Sequence, residues 1–315
     1  MSRSAAKALS IGKFAAFGFS CTVALAATSG AIAGPVSPTG WTADLQLAAP
    51  LPEGLFFVDT GTYFERSPTG SNPTIDAVVN IPVLVWSTPV TFLGGRLEAI
   101  GAAPEVGVGV NPGGPGSAYF RAMYNPAGLV GMAWDLGGGF SFADFVGGFI
   151  PVNTEVGNIG NLGSPVGGVG GNFWTFTEEA SVAYNHDGWS LSANFFYDHS
   201  GNDLSTGLYN QPDTADVDFA ATKHFDKLEI GLVGYASTDL NGANWNTVAG
   251  VVHYQSQLAL GGLVGYDFGP VIGQLYVTRD VYEDNYTGYD TRVWGRLVIP
   301  LWTAPKPAPA VTAKY

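Results

Sequence analysis

The segment Asp290–Trp302, DTRVWGRLVIPLW, decides the fold because its alternate residues differ in chemistry. In an extended strand, successive side chains point to opposite faces. One face would carry Asp290, Arg292, Trp294, Arg296 and Val298, and the other Thr291, Val293, Gly295, Leu297, Ile299 and Leu301. An arginine that faces lipid at mid-bilayer costs about 2–4 kcal/mol, so Arg292 and Arg296 should point inward. The pattern predicts a strand of a membrane-spanning β-barrel, with its polar face in the lumen.

The same separation recurs in three other segments, 189–198, 216–225 and 273–281. In each, one set of alternate positions is richer in polar residues than the other. Because alternate residues share a face, the four segments together predict which side chains line the lumen. The candidates are Asn194, Phe196, Asp216, Asp218, Thr222, Gln274, Tyr276, Asp280, Arg292, Trp294 and Arg296.

A few charged residues break the alternation. Lys223 and Arg279 fall on the outer face but close to strand ends, where a lipid-facing charge costs little. Glu178 and Glu179 are adjacent, so they cannot both face the lumen of a regular strand. The pair predicts either a β-bulge or a later start of that strand.

Short turns and long connections alternate along the chain from Gly54 onward. The short turns are predicted at 87–89, 135–139, 185–188, 225–227 and 268–270, and the long connections at 66–73, 103–117, 151–172, 200–214, 238–247 and 283–288. In an up-and-down sheet, alternate connections lie at opposite ends. The pattern predicts an antiparallel up-and-down transmembrane β-barrel of about twelve strands. Its short turns and both termini would be periplasmic, and its long acidic loops would lie outside.

Aromatic residues flank most of the predicted short turns. They are Trp86, Phe92, Trp134, Phe140, Tyr184, Trp189, Tyr266 and Phe268, with Trp302 at the end of the last strand. Such rings favour the boundary between membrane and water, so we expect an aromatic girdle on this rim. The alternative is that they close the end of the barrel core.

The composition excludes several classes of function. Only 13 basic residues stand against 26 acidic ones, a net charge of -13, and nucleic-acid binding needs a basic face that this chain lacks. The one cysteine, Cys21, excludes a disulfide framework and any Cys-rich metal site.

Residues 1–33 resemble a secretory signal peptide. Arg3, Lys7 and Lys13 precede an apolar run that ends in small residues at Ala33, after which we predict cleavage. A signal anchor and lipoprotein processing at Cys21 are the alternatives. The predicted organisation is then a Pro-rich N-terminal segment at 34–53, the barrel at 54–302 and a Pro- and Ala-rich tail at 303–315.

The histidines do not predict an enzyme. His186 and His224 lie near short turns, whereas His199 lies at a long-loop end beside Asp198 and Ser200. Adjacent strand residues point to opposite faces, so that trio is expected to form a polar loop entrance and not a catalytic site. No histidine pair or acidic loop has metal-ligand spacing, and we predict neither a metal nor a cofactor.

The glycine-rich segment 157–171 lacks the lysine and the strand-loop-helix context of a phosphate-binding loop. We expect it to form a long-rim loop that either folds inward and constricts the lumen or decorates the outside.

Several long segments resemble the family named for the MetA pathway of phenol degradation. They include LPEGLFFVDTGTYF (51–64), WDLGGGFSFADFVGGFIPVNTEVGN (134–158), NFWTFTEEASVAYNHDGWSLSANFFYDHSGND (172–203), YNQPDTADVDFAATKHFDKLEIGLVGY (209–235) and LGGLVGYDFGPVIGQLYVTRD (260–280). The resemblance implies an outer-membrane, transporter-like barrel that accompanies the breakdown of aromatic compounds, without catalytic residues. The tetrapeptide NPAG at 125–128 also resembles a motif of FadL-type channels for hydrophobic compounds. The Pro- and Ala-rich tail departs from the family pattern, since such barrels commonly end on an aromatic residue.

The sequence therefore predicts a bacterial outer-membrane channel for passive uptake of small molecules. Aromatic or hydrophobic solutes are suggested by the resemblance and by the aromatic lumen candidates. Charged lumen walls would set a transverse field that tunes selectivity. The expected partners are outer-membrane lipid, the solute and the barrel-assembly machinery. The alternative is a closed barrel that serves as an adhesin or structural surface protein.

Overall fold

A computed structural model of the chain describes residues 35–66, 74–111, 118–152, 171–286 and 288–305. The predicted signal peptide and most of the C-terminal tail lie outside these residues. Within the described ranges, no helix has the length and apolar character needed to cross a bilayer. The strands are β1 (Gly54–Arg66), β2 (Thr74–Phe92), β3 (Gly95–Ala102), β4 (Glu105–Asn111), β5 (Ala118–Met123), β6 (Ala127–Gly137), β7 (Phe140–Phe149), β8 (Thr175–His186), β9 (Trp189–Ser200), β10 (Thr214–Phe225), β11 (Leu228–Asp239), β12 (Thr247–Val248), β13 (Val251–Val252), β14 (Ser256–Asp267), β15 (Ile272–Asp284) and β16 (Thr291–Thr303).

The sheet closes on itself because β1 pairs with both β2 and β16. The closed ring follows the order β1, β2, β3, β6, β7, β8, β9, β10, β11, β14, β15 and β16, and every neighbouring pair is antiparallel. These twelve strands form an up-and-down barrel, so the predicted fold class and strand number are confirmed. Closure removes the free sheet edges that a membrane would not tolerate.

The short turns all join neighbouring strands of the ring at one end, which we call the short-turn rim. Four lie where the sequence places them, between β6 and β7, β8 and β9, β10 and β11, and β14 and β15. The turn predicted at 87–89 is wrong. Strand β2 continues to Phe92, and the chain reverses at Leu93 and Gly94, which both have positive φ. Because Pro89 lacks an N–H, the ladder is interrupted between Ser87 and Thr91, but the strand does not end.

A second difference concerns the long connection predicted at 103–117. Much of it is strand β4, which pairs with the first half of β2 and with β5. The β4–β5 hairpin extends the sheet beyond the level at which β3 and β6 pair. The breaks between β3 and β4 and between β5 and β6 fall at Pro104 and Pro126, which lack an N–H for the ladder. The second break contains Asn125 and Pro126, the first half of the NPAG tetrapeptide.

The adjacent acids Glu178 and Glu179 cause neither of the predicted irregularities. Strand β8 starts at Thr175 and pairs without a register shift with β7 and β9. Glu179 is buried inside the barrel, and Glu178 is exposed on the outer face. Glu178 lies near the long-loop end of β8, where a lipid-facing charge costs little because the membrane boundary is close. This position explains why a charged residue is tolerated on the outer face.

The outer face carries the aliphatic residues and the aromatics of the short-turn rim. The predicted girdle residues exposed on that face are Trp86, Phe92, Phe140, Trp189, Tyr266, Phe268 and Trp302. Their exposure contradicts the alternative that they close the end of the core. The buried interior has an apolar side built by β1, β2, β3 and β7 and a polar side built mainly by β8, β9, β10, β15 and β16.

Candidate functional site: the lumen and its N-terminal segment

All eleven predicted lumen residues are buried inside the barrel, each with an exposed fraction of 9% or less. They do not surround an open passage. The chain from 35 to 53, which precedes β1, lies among them, and we call it the N-terminal segment. The sequence analysis assigned it no position, because it is short and has no strand periodicity. Its centre is the most buried part, and Thr42 and Ala43 are fully buried.

The N-terminal segment is a chain of tight turns. Backbone N–H groups of Trp41, Ala43, Leu45 and Ala49 donate to the carbonyl oxygens three residues earlier. These bonds satisfy only part of its backbone, and a buried N–H or C=O without a partner is costly. The barrel wall supplies the remaining partners.

Two carboxylates of the polar wall accept the segment's N–H and O–H groups. Asp218 on β10 accepts the N–H of Gly40 at 2.6 Å, and the N–H and hydroxyl of Thr42 at 2.8 and 2.7 Å. Asp198 on β9 accepts the N–H and hydroxyl of Ser37 at 2.7 and 3.0 Å. Hydrogen bonds to a charged group are about twice as strong as neutral ones.

Donors on the same polar side of the barrel bind the segment's carbonyl oxygens. Arg296 on β16 donates to the carbonyls of Trp41 and Ala43 at 2.7 and 2.6 Å. Tyr276 on β15 donates to the carbonyl of Gly40 at 3.0 Å, and Asn194 on β9 donates to that of Thr42 at 3.0 Å. The polar side of the barrel therefore supplies both the acceptors and the donors that hold the segment.

Gly40 sits at the closest approach to the wall. Its φ of +90° is a conformation that favours glycine, and a Cβ there would lie 2.7 Å from Tyr235 and 2.8 Å from Trp294. Trp294 stacks on Tyr276 with ring centroids 5.2 Å apart and an interplanar angle of 7°. Three aromatic side chains of the wall thus form a recess that admits only a glycine.

The remaining predicted residues divide into two groups. Phe196 packs on Trp41 of the segment, with centroids 6.2 Å apart, while Thr222 and Gln274 hydrogen-bond to Asp44. Asp216 and Asp280 do not bond to the segment. The Oδ1 atom of Asp216 is buried without a partner among the described residues.

An ion cluster lies at the long-loop end of the lumen, and its Arg292 also donates to the carbonyl and hydroxyl oxygens of Thr39 in the N-terminal segment. Arg66, the last residue of β1, donates to Asp290 at 2.8 Å and to Asp280 at 3.4 Å, and Arg292 donates to Asp290 at 3.1 Å. Although burial acts to raise it, Arg292 and Arg66 hold the pKa of Asp290, in the loop before β16, below its usual range. The guanidinium of Arg66 lies 4.7 Å from the ring centre of Tyr286. This cluster joins β1, β15 and β16 at the loop end.

The predicted polar trio at the long-loop rim does not converge on one point. His199 is half exposed, and its Nδ1 lies 2.9 Å from Asp213 Oδ1. Asp198 points into the lumen, where it binds Ser37 and Thr177, and Ser200 is fully buried. No group of three or more His, Cys, Asp or Glu that could hold a metal ion occurs in the described part of the chain.

A cavity of about 290 Å³ remains between the N-terminal segment and the wall, toward the short-turn rim. We call it the rim cavity. Its apolar side consists of Phe56, Val58, Val83, Val85, Ile100 and Phe145. Its polar side consists of Asp44, Glu98, Glu179, His224, Glu229 and Gln274. Burial, and then the neighbouring Glu229, raises the pKa of Asp44 to about 8.

Sequence reasoning missed the N-terminal segment, and with it Asp44 and Trp41, and it did not assign Glu98, Glu179 or Glu229 to a site. One signal was present. The lumen set was more acidic than basic, and such carboxylates need donors that the arginines alone do not supply. Backbone N–H groups of a segment inside the barrel are one source of those donors.

Segment 157–171, expected at the long rim, falls almost entirely outside the described residues. The part that is described is its last residue, Gly171. Its carbonyl accepts a hydrogen bond from Asn125 Nδ2 at 2.8 Å, and Asn125 Oδ1 accepts the N–H of Val152 at 3.3 Å. Asn125, in the NPAG tetrapeptide, is fully buried and fixes both chain ends that flank the glycine-rich segment.

Comparison with solved structures places this fold among bacterial outer-membrane barrels. An outer membrane channel from Pseudomonas putida F1 aligns with a TM-score of 0.63 at 13% identity, covering 81% of this chain and 98% of that one. The transport unit of the autotransporter AIDA-I from Escherichia coli aligns with a TM-score of 0.50 at 10% identity, covering 87% and 96%. At these identities the likeness shows the fold alone. The comparison with curated proteins finds no match.

The matched family covers most of the chain, from residue 53 to residue 297, and its description is "Putative MetA-pathway of phenol degradation". The match spans the ring strands from the start of β1 to the middle of β16. The sequence resemblance and the outer-membrane location are confirmed. The chain is a member of this family, built as a closed outer-membrane barrel.

Proposed function

We propose that this barrel mediates passive uptake of small hydrophobic or aromatic compounds across the outer membrane. The observation that carries the proposal is the rim cavity, which is lined by six apolar side chains from β1, β2, β3 and β7. Binding pockets for small molecules are mostly apolar with a few polar groups that fix orientation. A cavity of about 290 Å³ suits a compound of roughly one aromatic ring.

The N-terminal segment sets the route. It occupies the middle of the lumen, so a solute passes only when the segment shifts against the wall or leaves room beside it. Free flow of water and ions needs a continuous aqueous path, whereas an apolar solute needs successive apolar surfaces. We therefore expect low ion conductance together with solute-specific uptake.

The test compares uptake of toluene and benzyl alcohol with uptake of a sugar in a deletion strain. Complementation with the intact gene should restore uptake of the aromatic compounds and leave sugar uptake unchanged. A variant without residues 35–50 should show increased single-channel conductance in a planar bilayer, because the lumen loses its filling. Unchanged aromatic uptake after deletion of the gene contradicts the proposal.

A second candidate function is a non-transporting structural or adhesin-type surface barrel. The dense hydrogen bonding between the N-terminal segment and the polar side of the barrel favours it, since such bonding locks the lumen closed. This candidate predicts no conductance across a range of ions and no uptake defect in the deletion strain. Loss of surface attachment in that strain would then be the expected phenotype.

A further inference from the structure

Acidic groups predominate on the lining of the rim cavity. Among its described lining residues, Asp44, Glu98, Glu179 and Glu229 carry carboxyl groups, and none is a lysine or an arginine. The one described lining group that can become a cation is His224, whose Nε2 lies 3.2 Å from Glu229. Buried carboxylates need a positive partner or strong donors to remain charged.

Glu179 is incompletely hydrogen-bonded. Its side chain is 2% exposed, and Ser181 donates to its Oε1 at 3.0 Å. Among the described residues, the other oxygen, Oε2, receives no hydrogen bond. A buried oxygen of this kind that faces a cavity is a place for a donor supplied by a ligand.

Trp41 gives a second, independent indication that the cavity accepts a polar ligand. The side chain lines the cavity and is 9% exposed, and its indole N–H has no partner among the described residues. This N–H needs an acceptor, which an ammonium group lacks, so a cation would instead contact the tryptophan ring, the best of the aromatic residues for that interaction.

The two sides of the cavity define the shape of the ligand. The apolar side, with Phe56, Val83 and Phe145, suits a ring or a short alkyl body. The acidic side, with Glu179 and Glu229, suits a donor that carries positive charge, because charge-assisted hydrogen bonds are the strong ones. An anionic compound would add a further negative charge to a lining that already holds four carboxyl groups.

We propose that the rim cavity binds small organic cations, each an apolar body with a protonated amine, in preference to neutral or anionic compounds of the same shape. The ammonium group donates to Glu179 Oε2 and the neighbouring carboxyl groups, and the body packs on the apolar side. This selectivity rests on the proposed uptake function and narrows its substrate class.

The experiment uses three ligands of one size: benzylammonium, benzyl alcohol and benzoate. Calorimetry on the full barrel in a non-ionic detergent should give benzylammonium an affinity about tenfold or more above that of benzyl alcohol, with benzoate the weakest. Added salt should weaken benzylammonium binding and leave benzyl alcohol binding unchanged.

The adjacent acids of β8 provide matched variants. Glu179→Gln should lower the affinity for benzylammonium about tenfold and leave that for benzyl alcohol unchanged, because it removes the charge and retains the shape. Glu178→Gln removes the same charge from the outer face and should change neither affinity. Glu229→Gln gives a second readout inside the cavity if Glu179→Gln does not assemble, and heat-modifiable gel migration shows which variants are folded.

Equal affinities for benzylammonium and benzyl alcohol, or equal effects of the two β8 variants, would overturn the inference. So would the absence of binding by all three ligands. The uptake assay with toluene decides the proposed function separately. Toluene uptake that depends on the gene, together with no binding preference for benzylammonium, would contradict the charge selectivity alone. Equal toluene uptake by the deletion strain and the intact strain would contradict the proposed function.

Discussion

Asp218 on β10 accepts the backbone N–H of Gly40 at 2.6 Å, which ties the barrel wall to the N-terminal segment inside it. The same carboxylate accepts both the N–H and the hydroxyl of Thr42. Asp218 and Thr42 are fully buried, so water does not replace these bonds when they are lost. One side chain therefore fixes the position of a whole segment.

Replacing Asp218 with asparagine should loosen the N-terminal segment. The amide retains one acceptor oxygen and turns an NH₂ group toward donors, which leaves at least one buried N–H unpaired at a cost of about 1–3 kcal/mol. We expect faster proteolysis of the segment and higher single-channel conductance. Asp226→Asn, in the exposed turn after β10, is the control and should change neither measurement. Identical conductance in both variants would show that Asp218 does not hold the segment.

Replacing Arg296 with lysine should also open the lumen. The guanidinium donates at once to Trp41 O, Ala43 O and the hydroxyl of Tyr276, and its Nε donates to Thr60. A lysine ammonium has three donors and lacks the planar fork, so several buried oxygens lose their partners. We expect the single-channel conductance to rise and the free energy of unfolding to fall by about 2–4 kcal/mol. Arg279→Lys on the outer face, where the arginine donates to Thr291, should alter both quantities little.

The barrel wall could be predicted from the sequence because its signal is local. Alternation along β9, β10, β15 and β16 assigns each residue to a face without knowledge of the partner strand. The turn near Pro89 was misplaced because proline interrupts a ladder in much the same way as it ends a strand. The two outcomes differ in the pairings beyond it, of Thr91 with Arg96 and of Phe92 with Gly95.

The position of the N-terminal segment could not be predicted in this way. Ser37 and Gly40 meet Asp198 and Asp218, residues more than a hundred positions away along the chain. Such contacts depend on the closed ring being formed and on the space left inside it. The segment's own residues show neither a strand period nor a helix period. The excess of lumen acids indicated that donors were needed but did not say which part of the chain would supply them.

Replacing Gly40 with alanine should displace the segment. Besides the strain of a positive φ, the new Cβ would meet the rings of Tyr235 and Trp294 at contact distances under 3 Å. We expect increased conductance and faster proteolysis of residues 35–50. Gly207→Ala separates the two causes, because Gly207 also has a positive φ, +69°, but nothing lies within 4 Å of its Cβ position. That variant should leave conductance and segment proteolysis unchanged. An equal response of both variants would mean that the aromatic recess does not select glycine.

The binding of the N-terminal segment to the barrel wall should weaken as the pH rises, because Asp44 loses its proton. Burial and the nearby Glu229 raise the pKa of this carboxyl to about 8, against the lowering effect of Arg296, so the docked segment favours its neutral form. Because the pKa of Asp44 is higher in the docked state, its contribution to the stability of that state is fully present below its ordinary pKa of 3.8. This contribution is lost as the pH rises through about 8. We therefore expect conductance to increase between pH 4 and pH 9.

Asp44→Asn should flatten that pH dependence, because an amide does not titrate and keeps the shape of the neutral acid. Gln274 donates to Asp44 at 2.6 Å, and the amide oxygen can still accept this bond. The control is Asp203→Asn, since Asp203 lies in an exposed loop and the hydrogen bonds from Thr206 lower its pKa, which puts its titration below this range. The Asp203→Asn variant should keep the increase of conductance with pH. If the slope persists in Asp44→Asn, the other buried carboxyl groups govern the response, and Asp44 is not the group that links pH to the segment.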